Sequence, residues 1–187
     1  MSDTTTAPAA ADAATQAALE RLNTVIDRLI APDGCPWDST QTPESLTEYV
    51  IEECHELVDA IRSGKTADMV EELGDVAFLI LMIGKLMARA GGPSLADALE
   101  VEAAKMVRRH PHVFSDTTYE NQSEQLKDWD RIKREEKAAA DAEGPKGTYD
   151  SLPRGLPPLT KAYRIHSKAD RVGFTWPEDE DVEKQVG

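Results

Sequence analysis

The sequence predicts an all-α protein: a helical bundle of four to five helices, completed by dimerisation, with a C-terminal linker and a short extra helix. Three observations carry that expectation. Aromatic residues make up only 5% of the 187 residues, while Ala, Leu and Glu are plentiful, and this composition favours helix over sheet. Apolar residues recur at helical spacing in one segment after another, with Gly, Pro and Ser in the gaps. One segment, Val76 to Ile83, is apolar on every side, so it asks for neighbours all round and, in a chain of this length, for a second copy.

In chain order, residues 1–14 hold Ala, Thr and Asp with little to bury and read as a disordered tail. The helical domain is expected over 15–137, a Pro/Gly-rich linker over 138–158, and a short helix with an acidic tail over 159–187. Leu19, Leu22, Ile26 and Leu29 predict a first helix over 15–31, stopped by Asp33-Gly34 and Pro36. Thr42 as N-cap and Pro43 at the first helical position open a second helix that ends at Ser63. Its stripe of Leu46, Val50, Cys54, Leu57 and Ile61 is expected to face the core. Thr66 caps a third helix reaching Ala90, and Ser94 with Asp97 forms a capping box for a fourth, stopped by Pro111 after His110. Ser123 caps a fifth helix through Lys137, with Leu126, Trp129 and Ile132 on one face.

The charge balance narrows the partners. With 35 Asp and Glu against 21 Lys and Arg, the net charge is −14, which repels nucleic acid and anionic membranes. A polyanionic substrate then requires cations, from metal ions on carboxylates or from a local basic patch. Cys35 and Cys54 do not make a disulfide framework. The first residues lack a basic region followed by an apolar stretch, and no apolar run approaches the ~20 residues of a membrane span. A cytoplasmic location is expected.

Acids supply the chemistry. The second helix carries Glu52, Glu53, Glu56 and Asp59, and the third carries Asp68, Glu71, Glu72 and Asp75. At about 100° per residue, each set occupies one arc beside the apolar stripe of its helix. Like charges at i, i+3 and i, i+4 repel, and two such arcs facing each other repel more. Divalent cations such as Mg²⁺ or Mn²⁺ remove that cost and prefer carboxylate oxygens. Acids also suit helix N-termini and solvated faces, so spacing alone leaves both readings open. A third reading, a di-iron site built on Glu52 and His55, lacks the second Glu-x-x-His that such sites need. His55 then reads as a surface or packing histidine.

Glu53-x-x-Glu56, a gap of fifteen residues, then Glu72-x-x-Asp75 resembles the acidic motif of the all-α nucleoside triphosphate pyrophosphohydrolases. Gly34-Cys35-Pro36-Trp37-Asp38 with Gln41-Thr42, Arg108 to Phe114, and Asp128-Trp129 followed by Ile132 to Lys137 are similar to stretches of the MazG family in particular, in the right order over residues 18–137. The resemblance implies Mg²⁺-dependent hydrolysis of nucleoside triphosphates to monophosphate and pyrophosphate, with Mn²⁺ a possible substitute, in a homodimer. It implies Glu53, Glu56, Glu72 and Asp75 as metal ligands. Glu52, Glu53 and Glu71 would serve catalysis, Glu52 and Glu71 by supporting the metal ligands from outside or by positioning water. Lys105 and Arg109 would hold the triphosphate, and Trp129 and Lys133 would help bind the nucleotide. By their residue types alone, the basic pair also suits a helix C-terminus, Trp129 suits a core, and Trp37 reads as a loop anchor ahead of a base-stacking group. Gly155 to Leu159, Lys161 to Tyr163 and Val172 to Trp176 resemble the segment joining the first MazG domain to a second. No second acidic motif follows, which fits either a natural single-domain form or a truncated chain. The alternative function is a non-catalytic helical module binding nucleotide or protein.

Overall fold

A computed structural model describes residues 6–140, 149, 152–171 and 173–174, and every regular element among them is helical. The chain divides into two compact units, residues 1–107 and 108–187. The first holds α1 (Thr6–Leu29), a 3₁₀ turn (Asp38–Thr40), α2 (Thr47–Ser63), α3 (Thr66–Arg89) and nearly all of α4 (Leu95–Arg109). The second holds α5 (Pro111–Phe114), α6 (Gln122–Ala140) and α7 (Pro158–Arg171). No helix among the described residues is long and apolar enough to cross a membrane.

In the first unit, α3 packs along α2 and against α1. Ile26 of α1, Ile30 just after it, Leu46 just before α2, and Leu79, Leu81, Met82 and Leu86 of α3 form the buried core. Each such side chain contributes about 1.5–3 kcal/mol on burial. Polar contacts fix the register of α1 on α3: Lys85 Nζ donates to Asp27 Oδ1 at 2.6 Å, and Arg89 Nη1 donates to the Ile30 carbonyl at 2.7 Å. The start of α4 is set by a close approach, since a Cβ on Gly84 would lie 2.7 Å from Leu95 Cβ.

Several boundaries differ from the sequence expectation. Residues 6–14, read as a disordered tail, are part of α1. Residues 11–16 are exposed, so the high helix propensity of this Ala-rich stretch, not burial, accounts for the helix. α2 begins at Thr47 and not at Pro43. Thr42 and Ser45 close a turn first: the Thr42 N–H donates to Ser45 Oγ at 3.0 Å and the Ser45 N–H donates to Thr42 Oγ1 at 3.2 Å. Gly64 at φ 72° ends α2, as expected of a left-handed C-terminal glycine. The Ser94–Asp97 capping box forms, with Asp97 Oδ2 accepting from the Ser94 N–H at 2.7 Å and the Asp97 N–H donating to Ser94 Oγ at 3.3 Å. Pro111 stops α4 and also opens the one-turn α5. α6 starts at Gln122, where Asn121 Oδ1 accepts from the Glu124 N–H at 3.0 Å, a cap supplied by Asn121 and not by Ser123. Residues 141–148, 150 and 151 of the expected linker and nearly all of the acidic tail lie outside the described residues.

The inner stripe of α2 also differs. Leu46 is buried and Val50 and Leu57 are half-buried, but Cys54 and Ile61 are exposed. Their places are taken by half-buried Glu53 and buried Ala60. Positions 46, 50, 53, 57 and 60 follow a seven-residue repeat, the period kept by a helix lying along its neighbour. Among the described residues, Val76 to Ile83 is not covered on every side, because Ile80 remains 49% exposed.

Two substitutions test this packing. Leu46→Ala should lower the unfolding free energy in urea by about 2–5 kcal/mol, and Gly84→Val by about 1–3 kcal/mol through its clash with Leu95. An unchanged urea midpoint in either variant would contradict the α1–α3 core or the α3–α4 approach.

Candidate functional site

The inner stripes of α2 and α3 are apolar over most of their length and acidic toward the turn that joins them. On α2, Glu53 sits within the stripe, with Glu56 one turn on. On α3, half-buried Asp68 and Glu72 precede Val76, Leu79 and Met82 on the same line. The close packing of α2 and α3 brings the two sets together. One carboxylate oxygen from each of Glu53, Glu56 and Glu72 lies within 4.8 Å of the other two. Asp75 stands beside this trio, near enough for its charge to act on both Glu53 and Glu72. An adjoining open cleft of about 300 Å³ is lined by Glu56, Asp59, Ala60, Ser63, Asp68 and Glu72.

The electrostatics follow from this crowding. Partial burial, then the charges of Glu56, Asp75 and Glu52, raise the Glu53 carboxyl above its usual range. Partial burial, then Glu56, Glu71, Glu53 and Asp75, do the same to Glu72. No basic residue figures among these influences, so a cation from solution is the natural counter-charge. A small set of converging carboxylates that leaves room for water and phosphate suits a hard divalent ion. The residues present therefore fit such a metal: Glu53, Glu56 and Glu72 could hold it, with Asp75 close by.

The remaining expected site residues fall in both units. In the first, Glu52 and Glu71 are exposed beside Glu53 and Glu72, and Lys105 is half-buried in an ion pair with Glu102, one turn earlier on α4. In the second, Arg109 is half-buried and held by Glu136. Trp129 is half-buried, with the Lys133 ammonium 5.2 Å from its ring centroid and the His110 ring 6.3 Å away. The Trp129 indole N–H is buried without a hydrogen-bond acceptor. His55 is exposed, as a surface histidine is.

Trp37 anchors its loop. Its ring meets Tyr49 edge-on at 5.6 Å, and its carbonyl accepts from Thr40 Oγ1 at 2.9 Å and Gln41 Nε2 at 3.0 Å. Gly34 is dictated by space, since a Cβ there would lie 2.3 Å from the Leu29 carbonyl oxygen. The sequence places Asp68 on the acidic arc of α3 and Ser63 at the end of α2, and both line the cleft. Asp68 stands four residues before Glu72, on the same face of α3.

Known proteins share the helices that carry this geometry. Residues 41–114 match the MazG nucleotide pyrophosphohydrolase domain. The chain is 38% identical over 159 residues to the nucleoside triphosphate pyrophosphohydrolase of Escherichia coli K12, covering 84% of this chain and 59% of that protein. It is 36% identical over 167 residues to the nucleoside triphosphate pyrophosphohydrolase/pyrophosphatase MazG of Thermotoga maritima, covering 89% of this chain and 62% of that one. It thus spans about three fifths of the length of these two relatives. It is also 40% identical over 141 residues to the uncharacterized protein YabN of Bacillus subtilis, covering 75% of this chain and 28% of that protein. The crystal structure of a mazG-related protein from Thermotoga maritima superposes with a TM-score of 0.53 at 29% identity, over 61% of this chain and 97% of that one. The family match takes in all four acids of the motif, from Glu53 to Asp75, so residues 41–114 are similar to a MazG nucleotide pyrophosphohydrolase domain.

Proposed function

We propose that this protein hydrolyses nucleoside triphosphates to nucleoside monophosphate and pyrophosphate in a Mg²⁺-dependent reaction, as nucleotide-pool housekeeping in the cytoplasm. The observation that carries the reading is the convergence of Glu53, Glu56 and Glu72 at the acidic end of the α2–α3 hairpin. The relatives named nucleoside triphosphate pyrophosphohydrolase support it. Mg²⁺ held there, or Mn²⁺ in its place, supplies positive charge to phosphate oxygens and acidifies water.

The chain's own groups do the rest. Glu53, Glu56, Glu72 and Asp75 bind the cation. Glu52 and Glu71 lie next to two of these ligands in sequence and orient the attacking water by accepting its hydrogen bonds. Glu53 has a second role in catalysis as the most enclosed member of the set on α2. Lys105 and Arg109 bind the triphosphate and balance the charge that builds on the departing pyrophosphate. Trp129 offers a ring face to the nucleotide, and Lys133 adds a cation beside it. Positioning and charge neutralisation dominate, as phosphoryl chemistry requires.

We infer that the protein acts as a homodimer. Ile51, Val58 and Ile61 on α2 and Val70, Leu73 and Ile80 on α3 are exposed, at 39–67% of their accessible surface. On each helix they follow three- and seven-residue spacing, so each helix carries a second apolar stripe beside its inner one. Such stripes are an expected cover for a second copy.

Product analysis tests the reaction. Incubation with each nucleoside triphosphate and Mg²⁺ should release pyrophosphate and monophosphate, and release of orthophosphate with diphosphate alone would reject the proposal. Glu53→Ala and Asp75→Ala should each lower kcat by about a hundredfold or more, with helical content retained by circular dichroism.

Stability gives a second measurement. Glu53 and Glu72 have raised carboxyl pKa values in the fold. They therefore bind protons more tightly folded than unfolded, and metal-free stability falls as pH rises from the ordinary value of 4.5 through the raised one. Glu53→Gln in EDTA should shift Tm upward relative to wild type more at pH 7 than at pH 4, and Mg²⁺ should stabilise wild type more than the variant. An equal shift at both pH values would count against charge crowding. Light scattering should give twice the chain mass, and Ile51→Lys with Leu73→Lys should reduce it to one. A monomeric wild type would reject the dimer.

A further inference from the structure

Arg109, at the end of α4, is the binding residue whose surroundings the structure defines most fully. Its Nε and Nη2 donate to Glu136 Oε2 at 2.9 and 2.7 Å. Arg108 Nε donates to the other oxygen, Oε1, at 3.0 Å. Two guanidinium groups therefore share one carboxylate, and the trio keeps a net positive charge. The two arginines are not equivalent. Side-chain exposure is 17% for Arg109 and 55% for Arg108, against 20% for Glu136. The Arg109 pair is thus the better shielded from water and the more firmly held. Partial burial raises the Glu136 carboxyl, but its hydrogen bonds with Arg109 and then Arg108, together with their charges, outweigh this and leave it lowered.

The orientation of the pair matters. Nε and Nη2 form the side edge of a guanidinium. An arginine gripped there keeps its outer edge, Nη1 with the second N–H of Nη2, for a planar two-point contact with another anion. Glu136 lies seven residues after Trp129 and three after Lys133, so the three share one face of α6. That face also holds the buried, unpartnered indole N–H of Trp129.

We propose that Glu136 is a positioning residue for phosphate binding: it grips Arg109 by its side edge and presents the outer edge to the triphosphate of the substrate. The proposal rests on the reading above that Arg109 binds the triphosphate. A purely structural pair would tie the end of α4 to α6 and have no bearing on anion affinity. A positioning pair couples Glu136 to the substrate through Arg109.

The experiment is a double-mutant cycle on the full chain, read by calorimetric affinity for inorganic tripolyphosphate with Mg²⁺ and by steady-state kinetics on a nucleoside triphosphate. Arg109→Ala and Glu136→Gln should each weaken tripolyphosphate binding by about tenfold. Glu136→Gln should raise KM in step while kcat changes little. The double variant should be no weaker than Arg109→Ala alone, because Glu136 acts only through that residue. Glu136→Asp, which keeps the charge on a shorter arm, should recover part of the affinity, and it replaces Glu136→Gln if that variant melts below the assay temperature. If Arg109→Ala weakens binding but Glu136→Gln does not, or if the two losses add, the positioning role is overturned and the substrate role of Arg109 stands. If Arg109→Ala leaves tripolyphosphate affinity unchanged, both fail.

Discussion

The packing of α2 on α3 holds like charges together, and the candidate site depends on that constraint. Glu53, Glu56 and Glu72 repel one another, and left to themselves they would move apart into water. They stay because the apolar residues of the same two helices, Val50 on α2 and Leu79 and Met82 on α3, join one core with Ile26, Ile30 and Leu46. Hydrophobic burial along the hairpin thus sets the distance between acids at its end. The arrangement is pre-organised for a divalent cation at a cost borne elsewhere in the bundle.

A consequence is that core and site cannot be treated as separate layers. Glu53 occupies a position in the seven-residue repeat of α2 that an apolar residue would otherwise fill, and Glu72 does the same in the stripe of α3. Both are raised above the ordinary carboxylate range by partial burial and by their neighbours, and both are placed to gain most from a counter-ion. The second unit follows a different rule. There a carboxylate is lowered, because Glu136 faces two arginines, and charge is balanced within the protein while a net positive charge remains. The chain is acidic overall, yet it keeps its acid-rich and arginine-rich clusters on different elements, suited to a cation and to a polyanion respectively.

Much of this was legible in the sequence. The helical class followed from composition and period, α3 and α4 fell within a residue or two of their expected bounds, and the Ser94–Asp97 box and the Gly64 stop were local chemistry that the structure reproduces. The acidic motif, read through its family resemblance, joined Glu53, Glu56 and Glu72 with Asp75, and spacings of three and four residues put each pair on one face of its helix whatever packs against it. Less local features were missed. The start of α2 moved to Thr47 because a Thr42–Ser45 turn competes with the first helical turn. Low hydrophobicity reads residues 6–14 as a tail, but the helix propensity of their alanines extends α1 through them.

Sequence by itself determined which residues could be neighbours along a helix: the four acids of the motif, the apolar stripes and the caps. Those relations depend only on the rise and turn of the chain. Tertiary structure alone decided that the inner face of α2 turns Glu53 and Ala60 inward in place of Cys54 and Ile61, that Asp68 and Ser63 line the cleft, and that Glu136 closes on Arg108 and Arg109. The first follows from how one helix lies along another. The others join residues on different helices, whose separation in sequence carries no trace of their distance in space.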